Sequence, residues 1–590
     1  MRWKQMWARK SLDGLLKEMA GEHQLHRVLG PVALTSLGVG AIIGAGIFAM
    51  TGRVAAEDAG PSIMLSFVIA GIACGFAALC YAEFSAMAPV AGSAYTYTYA
   101  TLGELWAWII GWDLVLEYAM SCAVVAAHWS HYLEEFLKST FGIHIPEQLL
   151  NDPFTQVMVD GQMVNCWFNL PAVLIMALIT GILVLGIRES ATTNAVLVVV
   201  KLAVVLMVIV LGWGYTNSDN WTKVPVDQRR PTDVFDYLDR HPELSELVPK
   251  SDRHEMESGA SLLARKPELA AKLTAEQRQI VEKLPAEGQK WGLLGVLGIK
   301  HWLLPIDNGL RSSFFPYGLS GLMVGAALVF FAYIGFDSIS THSEEARNPQ
   351  RDVPLGILLS LVVCTALYMA VSAVISGMEP YPTIDPDAAV AAAFRRRAEV
   401  EQSWWLNKSA AIIALGALAG MTSVLLVTFL SQARIFLAMS RDGLLPPSIF
   451  AAIHPKFRTP HRSTILTGVI ICLVGALTPI RKLEEMVSIG TLMAFVLVCA
   501  SVLILRVKRP EVKRPFKTPL IWIVAPAGIL VNLSLMLFLP VDTWLRLAVW
   551  LAIGLAIYFG YGQRHSVLGR QLQHELQSHG LTGTDAPLGS

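Results

Sequence analysis

The sequence predicts an all-α polytopic membrane protein, and three observations carry that class. Of 590 residues, 54% are hydrophobic and only 16% charged, against about 25% charged in a soluble domain; mean hydropathy is +0.50. Apolar stretches of about 20 residues or more, the length a helix needs to cross a bilayer, recur along most of the chain. Two of them are broken by glycine at their middles: Gly38-Val39-Gly40-Ala41-Ile42-Ile43-Gly44-Ala45-Gly46-Ile47-Phe48 and Phe330-Phe331-Ala332-Tyr333-Ile334-Gly335-Phe336-Asp337. Lipid offers no partner to a freed backbone group, and paired interruptions in two halves point to a secondary transporter's binding site.

Twelve spans are read, at roughly 32–56, 62–87, 104–136, 168–187, 191–214, 317–344, 353–377, 409–439, 462–479, 482–506, 520–540 and 543–562. The third and eighth are long enough to run well past the bilayer. Lysine and arginine near the span ends orient the chain. The N-terminal segment, Arg347 and Arg351, Arg441 to Arg462 and the Arg506–Lys517 run share one side, which places both termini in the cytoplasm. Arg395-Arg396-Arg397 and Arg481-Lys482 dissent, the first among Asp385, Asp387, Glu399 and Glu401. The organisation is then a cytoplasmic segment (1–31), a twelve-helix transport domain (32–216 and 311–565), an extracytoplasmic polar insert (217–310) and a cytoplasmic tail (566–590). In the insert, Thr274-Ala275-Glu276-Gln277 reads as a capping box. Leu273, Ile280, Val281 and Leu284 follow as a helical stripe: a small cap without chemistry, or a lid or docking element. The tail after Gln563 is polar and read as disordered at its end. The basic start (Arg2, Lys4, Arg9, Lys10) lacks a short apolar core with a cleavage site, so no cleaved signal peptide is read.

Of seven cysteines, six lie in apolar segments and Cys166 in a loop. Neither CxxC nor Cys/His metal spacing occurs, so no metal and no cofactor are expected. A net charge of +0 gives no argument for nucleic acid.

Gly40, Gly44 and Gly46 each cost a helix about 1 kcal/mol relative to alanine. If the helix unwinds there, the amides of its second half face the membrane centre and suit a carboxylate; Gly40 and Gly44 equally form a GxxxG packing spacing. At the second break, exposed carbonyls suit an ammonium group, and Phe331 is placed to close over the ligand. Phe331 and Tyr333 can instead face lipid or pack. Asp337 lies deep, where ionisable groups are expensive and usually functional. Lys201 is central in the apolar stretch Val196–Leu211, too far from an interface to snorkel. It must pair or lose its proton, as a proton-coupling group, a brace for the first span, or both. Asp113 and Glu117 share a face of the third span. Glu117 reads as contacting a cationic side chain, taking a proton, or hydrogen-bonding a broken helix. Glu83 reads as half of a structural or gating pair, and His128 as a satisfied interior histidine.

At these residues the chain resembles the amino acid–polyamine–organocation superfamily, in its bacterial cationic amino acid transporter branch. The matching stretches are Ile43-Gly44-Ala45-Gly46-Ile47-Phe48, Ala91-Gly92-Ser93-Ala94-Tyr95-Thr96-Tyr97, Gly103-Glu104-Leu105-Trp106-Ala107, Gly111-Trp112 and Leu116-Glu117-Tyr118. Gly335-Phe336-Asp337, Glu344-Glu345-Ala346-Arg347-Asn348-Pro349-Gln350 and Asp442-Gly443-Leu444-Leu445-Pro446 follow. The resemblance implies a LeuT-type fold, two inverted repeats of five spans plus two further helices, with breaks in the first and sixth. It also implies alternating access for a free amino acid. On that likeness the substrate carboxylate falls to Ile42, Ile43, Gly44, Ala45, Gly46 and Ile47, and the amino group to Phe331, Ile334 and Asp337. Lys201 fits the position where proton-coupled or sodium-independent relatives carry a lysine in place of sodium.

The expected function is a secondary active amino-acid permease of the inner (plasma) membrane, proton-coupled, taking cationic or broad-range L-amino acids. Glu117 joins the substrate-binding set, and Lys201, Asp337 and Glu117 the proton-coupling set. Partners are the free amino acid, H+ and membrane lipids. Alternatives are a neutral amino-acid permease, an amino-acid/amine exchanger and, more remotely, a transceptor-type sensor. An enzyme is disfavoured because the membrane segments hold no nucleophile–His–acid set.

Overall fold

Long apolar runs leave the backbone no partner but itself, so they close as helices. The computed structural model describes residues 2–10, 29–87, 93–159, 162–186, 191–225, 228–229, 231–254, 257–287, 289–336, 339 and 346–578. Among them, seven helices are long and apolar enough to cross a membrane, and five more of 10–17 residues are apolar. The chain is a multi-pass, mostly helical membrane protein.

The first apolar segment is split. Helix α1 (Pro31–Ile42) ends at the first break, and a helical stretch resumes over 46–59. It turns through Gly60–Ser62 into α2 (Ile63–Met87). Next come α3 (Glu104–Phe141), α4 (Leu170–Leu185) and α5 (Ala191–Trp213). After the insert, α6 (Gly318–Val329) tightens into the 3-10 turn Phe330–Tyr333. The remainder are α7 (Pro349–Met378), α8 (Trp404–Arg441), α9 (His461–Leu477), α10 (Ile480–Lys508), α11 (Ile521–Leu537) and α12 (Val541–Ile557). α3 and α8 have 38 residues each and pack along one another. At 1.5 Å rise each runs about 57 Å, well beyond a hydrocarbon core of about 30 Å. The expected overlength of both is therefore present.

One large apolar cluster joins these helices around α1, α2, α3, α6, α7 and α8. Several charged residues inside the bundle are paired near its two ends. At one end Glu83 of α2 accepts from Arg506 at 2.8 Å and from the Thr518 amide, with Arg514 also 3.3 Å away; this is the pair expected for Glu83. At the same end Glu104 accepts from Gln5, Tyr99, Tyr558 and Ser566, tying the N-terminal helix Arg2–Met6 to the segment after α12. At the other end Arg481 pairs with Asp58 at 2.6 Å, and His128 meets Glu484 at 2.8 Å, ring and carboxylate both buried. The tail carries a helix, Val567–Ser578; residues 579–590 lie outside the described residues.

The insert builds a small core of its own from Val234, Phe235, Leu238, Leu262, Val281 and neighbours. Its capping box is formed: Gln277 N donates to Thr274 Oγ1 at 3.2 Å and Thr274 N to Gln277 Oε1 at 3.0 Å. Leu273, Val281 and Leu284 face that core, whereas Ile280 is exposed. A short hairpin, Gln156–Val159 with Gln162–Asn165, precedes Cys166; the sequence did not announce it.

Candidate functional site

The two glycine breaks meet. At the first, the Ile43 amide makes the closing bond of α1, to Val39 O at 2.9 Å, and Ile43 then extends at φ −72, ψ 105. The chain resumes with Ala45 as N-cap of a π-helical turn, Gly46–Met50. At the second, the extended residue is Ile334 (φ −58, ψ 135), followed by Gly335 at φ +112. That backbone favours glycine, and a Cβ there would stand 2.7 Å from Ala41 O. Likewise a Cβ on Gly46 would overlap Ala332 Cα, and one on Gly44 would press on Val424 of α8. Gly46 and Gly335 are thus needed for close backbone approach between the breaks, and Gly44 for the approach of α8.

Side chains from other helices satisfy the freed carbonyls. The Tyr368 hydroxyl of α7 is shared between Ile42 O at 3.0 Å and Ala332 O at 2.8 Å, one from each break. Lys201 of α5 is buried and donates to Gly40 O at 2.9 Å and Ser423 Oγ at 3.3 Å. Its ammonium meets the C-terminal end of α1, where the helix dipole is negative. Tyr132 of α3 donates to Phe48 O at 2.6 Å, and Tyr333 donates to Phe67 O at 2.7 Å.

Ile42, Ile43, Gly44, Ala45, Gly46 and Ile47 are all buried around the first break, and Phe331 is buried beside the second. Ile334 is half-buried. Glu117 is buried on α3. Asp113, one turn away and fully buried, lies 3.2 Å from where a Gly490 Cβ would stand. Neither of its carboxylate oxygens has a hydrogen-bond partner among the described residues. Asp337 lies outside the described residues. The site therefore brings the first-break residues, Phe331, Ile334 and Lys201 into one neighbourhood.

Sequence reasoning did not single out Tyr368, Tyr132 or Ser423. Each is a hydroxyl within an apolar run, a signal present in the sequence but shared with ordinary packing residues. In chemical terms, a helix N-terminus at Ala45–Ile47 offers amide donors. The 3-10 end at Phe330–Tyr333 offers carbonyl acceptors, a short distance away. Together they suit a small ligand carrying both an anionic and a cationic group.

Comparison with known proteins shows the family. The profile of a family described as "Amino acid permease" matches residues 29–237 and 292–558, leaving out the middle of the insert. The "Branched-chain amino acid permease BcaP" of Bacillus subtilis (strain 168) is 39% identical over 96% of this chain and 99% of its own length. The "Methylthioribose transporter" of the same organism is 36% identical over the same shares. The "Cationic amino acid transporter 2, vacuolar" of Arabidopsis thaliana is 36% identical over 85% of this chain and 63% of its own length.

Proposed function

The chain belongs to the amino acid permease family, and from that premise we propose a secondary active amino-acid permease working by alternating access. It takes up cationic or a broad range of L-amino acids together with protons. It is a transporter and not an enzyme, as its family and relatives are. The observation that carries the reading is the meeting of two helix breaks, backbone against backbone, with Tyr368 shared between their carbonyls.

In this mechanism amides at Ala45–Ile47 hold the substrate carboxylate, and the carbonyl end near Phe331 and Ile334, with Asp337, holds its ammonium group. Lys201 on Gly40 O braces the inner half of the first span. A change in its proton, or in that of Glu117 or Asp337, alters the brace and links proton flux to substrate flux. The matched lengths of α3 and α8 support an inverted-repeat, LeuT-type arrangement with twelve spans. The termini are cytoplasmic and the insert extracytoplasmic in the inner (plasma) membrane.

A neutral substrate is the second reading, and the higher identity to a branched-chain permease favours it. Purified protein in liposomes decides between them. Arginine, lysine, alanine and leucine are offered with and without an inward proton gradient, with methylthioribose as a competitor. Gradient-driven accumulation of arginine or lysine is expected. Preference for leucine or alanine moves the substrate to the second reading, and uptake indifferent to the gradient overturns proton coupling. Counterflow without net uptake assigns an exchanger, and binding without flux a sensor.

A further inference from the structure

The last part of the insert buries its charges and exposes large apolar side chains, beside an exposed His301 and Asn308. In the helix Lys300–Leu310 the charged residues point inward: Lys300 and Asp307 are buried, at 2% and 0% exposure. Trp302, at 84%, and Ile306, at 53%, one turn apart, point outward, with Leu310 a further turn along. Val296, Leu297 and Ile299, just before this helix, are exposed as well. A helix facing water does the opposite, and a contiguous apolar patch of this kind marks an interaction surface.

The inward face shows at what level the helix lies. Leu303 and Leu304 pack against the cluster of Trp291, Leu294 and Phe538, as do Met323 and Val324 of α6 and Leu537 at the end of α11. Asp307 Oδ1 accepts the Ser320 amide in the first turn of α6 at 2.8 Å, and its other oxygen lies 3.3 Å from Arg311 Nε. Gly318 is required beside it, since a Cβ would overlap the Asp307 carboxylate. The helix therefore lies against the ends of two apolar helices, at the boundary of the bundle, with its apolar face turned away from the protein.

We propose that residues 293–310 form an interfacial anchor whose outward face, centred on Trp302 and Ile306, is embedded among phospholipid chains at the membrane surface on the insert's side. Burying charge and exposing tryptophan is the arrangement lipid selects, with Trp at the headgroup level. The buried face of the same segment shares a cluster with residues of α6 and the end of α11, two apolar helices, which favours lipid over a soluble partner. Through Asp307, the anchor fixes the first turn of the half-helix that ends at the second break. The cap core around Val281 is then tethered to the membrane rather than held over it.

The test places the photoreactive residue p-benzoylphenylalanine at position 302, and separately at position 306 in case the first substitution prevents folding. Ile280, exposed on the cap's own helix, is the water-facing control. After irradiation of the full-length protein in phospholipid vesicles, peptide mass spectrometry reads the adducts. Phospholipid adducts at 302 or 306 and none at 280 are expected. Cross-links from 302 or 306 to a second copy overturn the proposal in favour of a self-association face. Lipid adducts missing from both positions in folded protein, or equal at all three, overturn it as well.

Discussion

At the first break, carbonyls on both halves of the helix are held by three other helices: Gly40 O by Lys201, Ile42 O by Tyr368 and Phe48 O by Tyr132. At the second break the described contacts are neutral. Ala332 O accepts from Tyr368, Tyr333 is anchored on Phe67 O, and Gly335 turns at φ +112 against Ala41. A lysine ammonium offsets the negative end of α1, whereas a phenol satisfies a carbonyl and adds no charge. Among the described residues the two breaks are alike as backbone, and they differ in that a charged side chain braces the first.

The largest effect is expected where the breaks touch. Gly335→Ala must accept a positive φ, costing about 1–3 kcal/mol, and must push away Ala41, costing about 1–3 kcal/mol more. Uptake should be abolished and the melting temperature in detergent lowered. Gly46→Ala, which overlaps Ala332 Cα, should behave similarly. If either variant transports normally, the close backbone crossing is not needed for function. Lys201→Met comes next, because it keeps the side chain's volume and removes its charge. Leaving Gly40 O without that donor costs about 1–3 kcal/mol, so the protein should fold while proton-driven accumulation is lost. Retained gradient dependence would remove the lysine from coupling and erase the electrostatic difference between the breaks. Tyr368→Phe removes a neutral hydroxyl shared by carbonyls of both breaks, a cost of the same order, about 1–3 kcal/mol. It should raise KM several-fold in uptake assays while leaving the gradient dependence intact.

The breaks were legible because glycine in the middle of an apolar helix is a cost without a local benefit. Lys201 was legible because a charge far from either interface demands a partner. Which atoms would meet was not legible. Nothing in the spacing says that Gly46 lies on Ala332 or Gly335 on Ala41, since those contacts are fixed by the packing of α1 against α6. Tyr368 was missed because one tyrosine in an apolar helix fits packing as well as hydrogen bonding. The anchor was missed for a related reason. Lys300 and Asp307 lie in an insert that is polar as a whole, and only their burial reveals that the apolar side of that helix faces outward.

The finest test of the comparison is Ser423→Ala. Ser423 touches Lys201 at 3.3 Å, a longer contact than the 2.9 Å bond to Gly40 O. It comes from α8, the helix that also crowds Gly44 through Val424. If the lysine's task is only to satisfy Gly40, losing this weaker partner should cost about 0.5 kcal/mol or less and leave transport nearly unchanged. If the ammonium is poised between α1 and α8, loss of the hydroxyl should lower proton-driven accumulation several-fold, because a charge in the membrane interior depends on its polar contacts. Tyr368→Phe, acting on neutral groups alone, should leave the dependence on the gradient in place. Lost gradient dependence in the serine variant together with none lost in the phenylalanine variant would locate the proton-sensitive contact at the first break. Equal losses in both would show that the two breaks act as one unit.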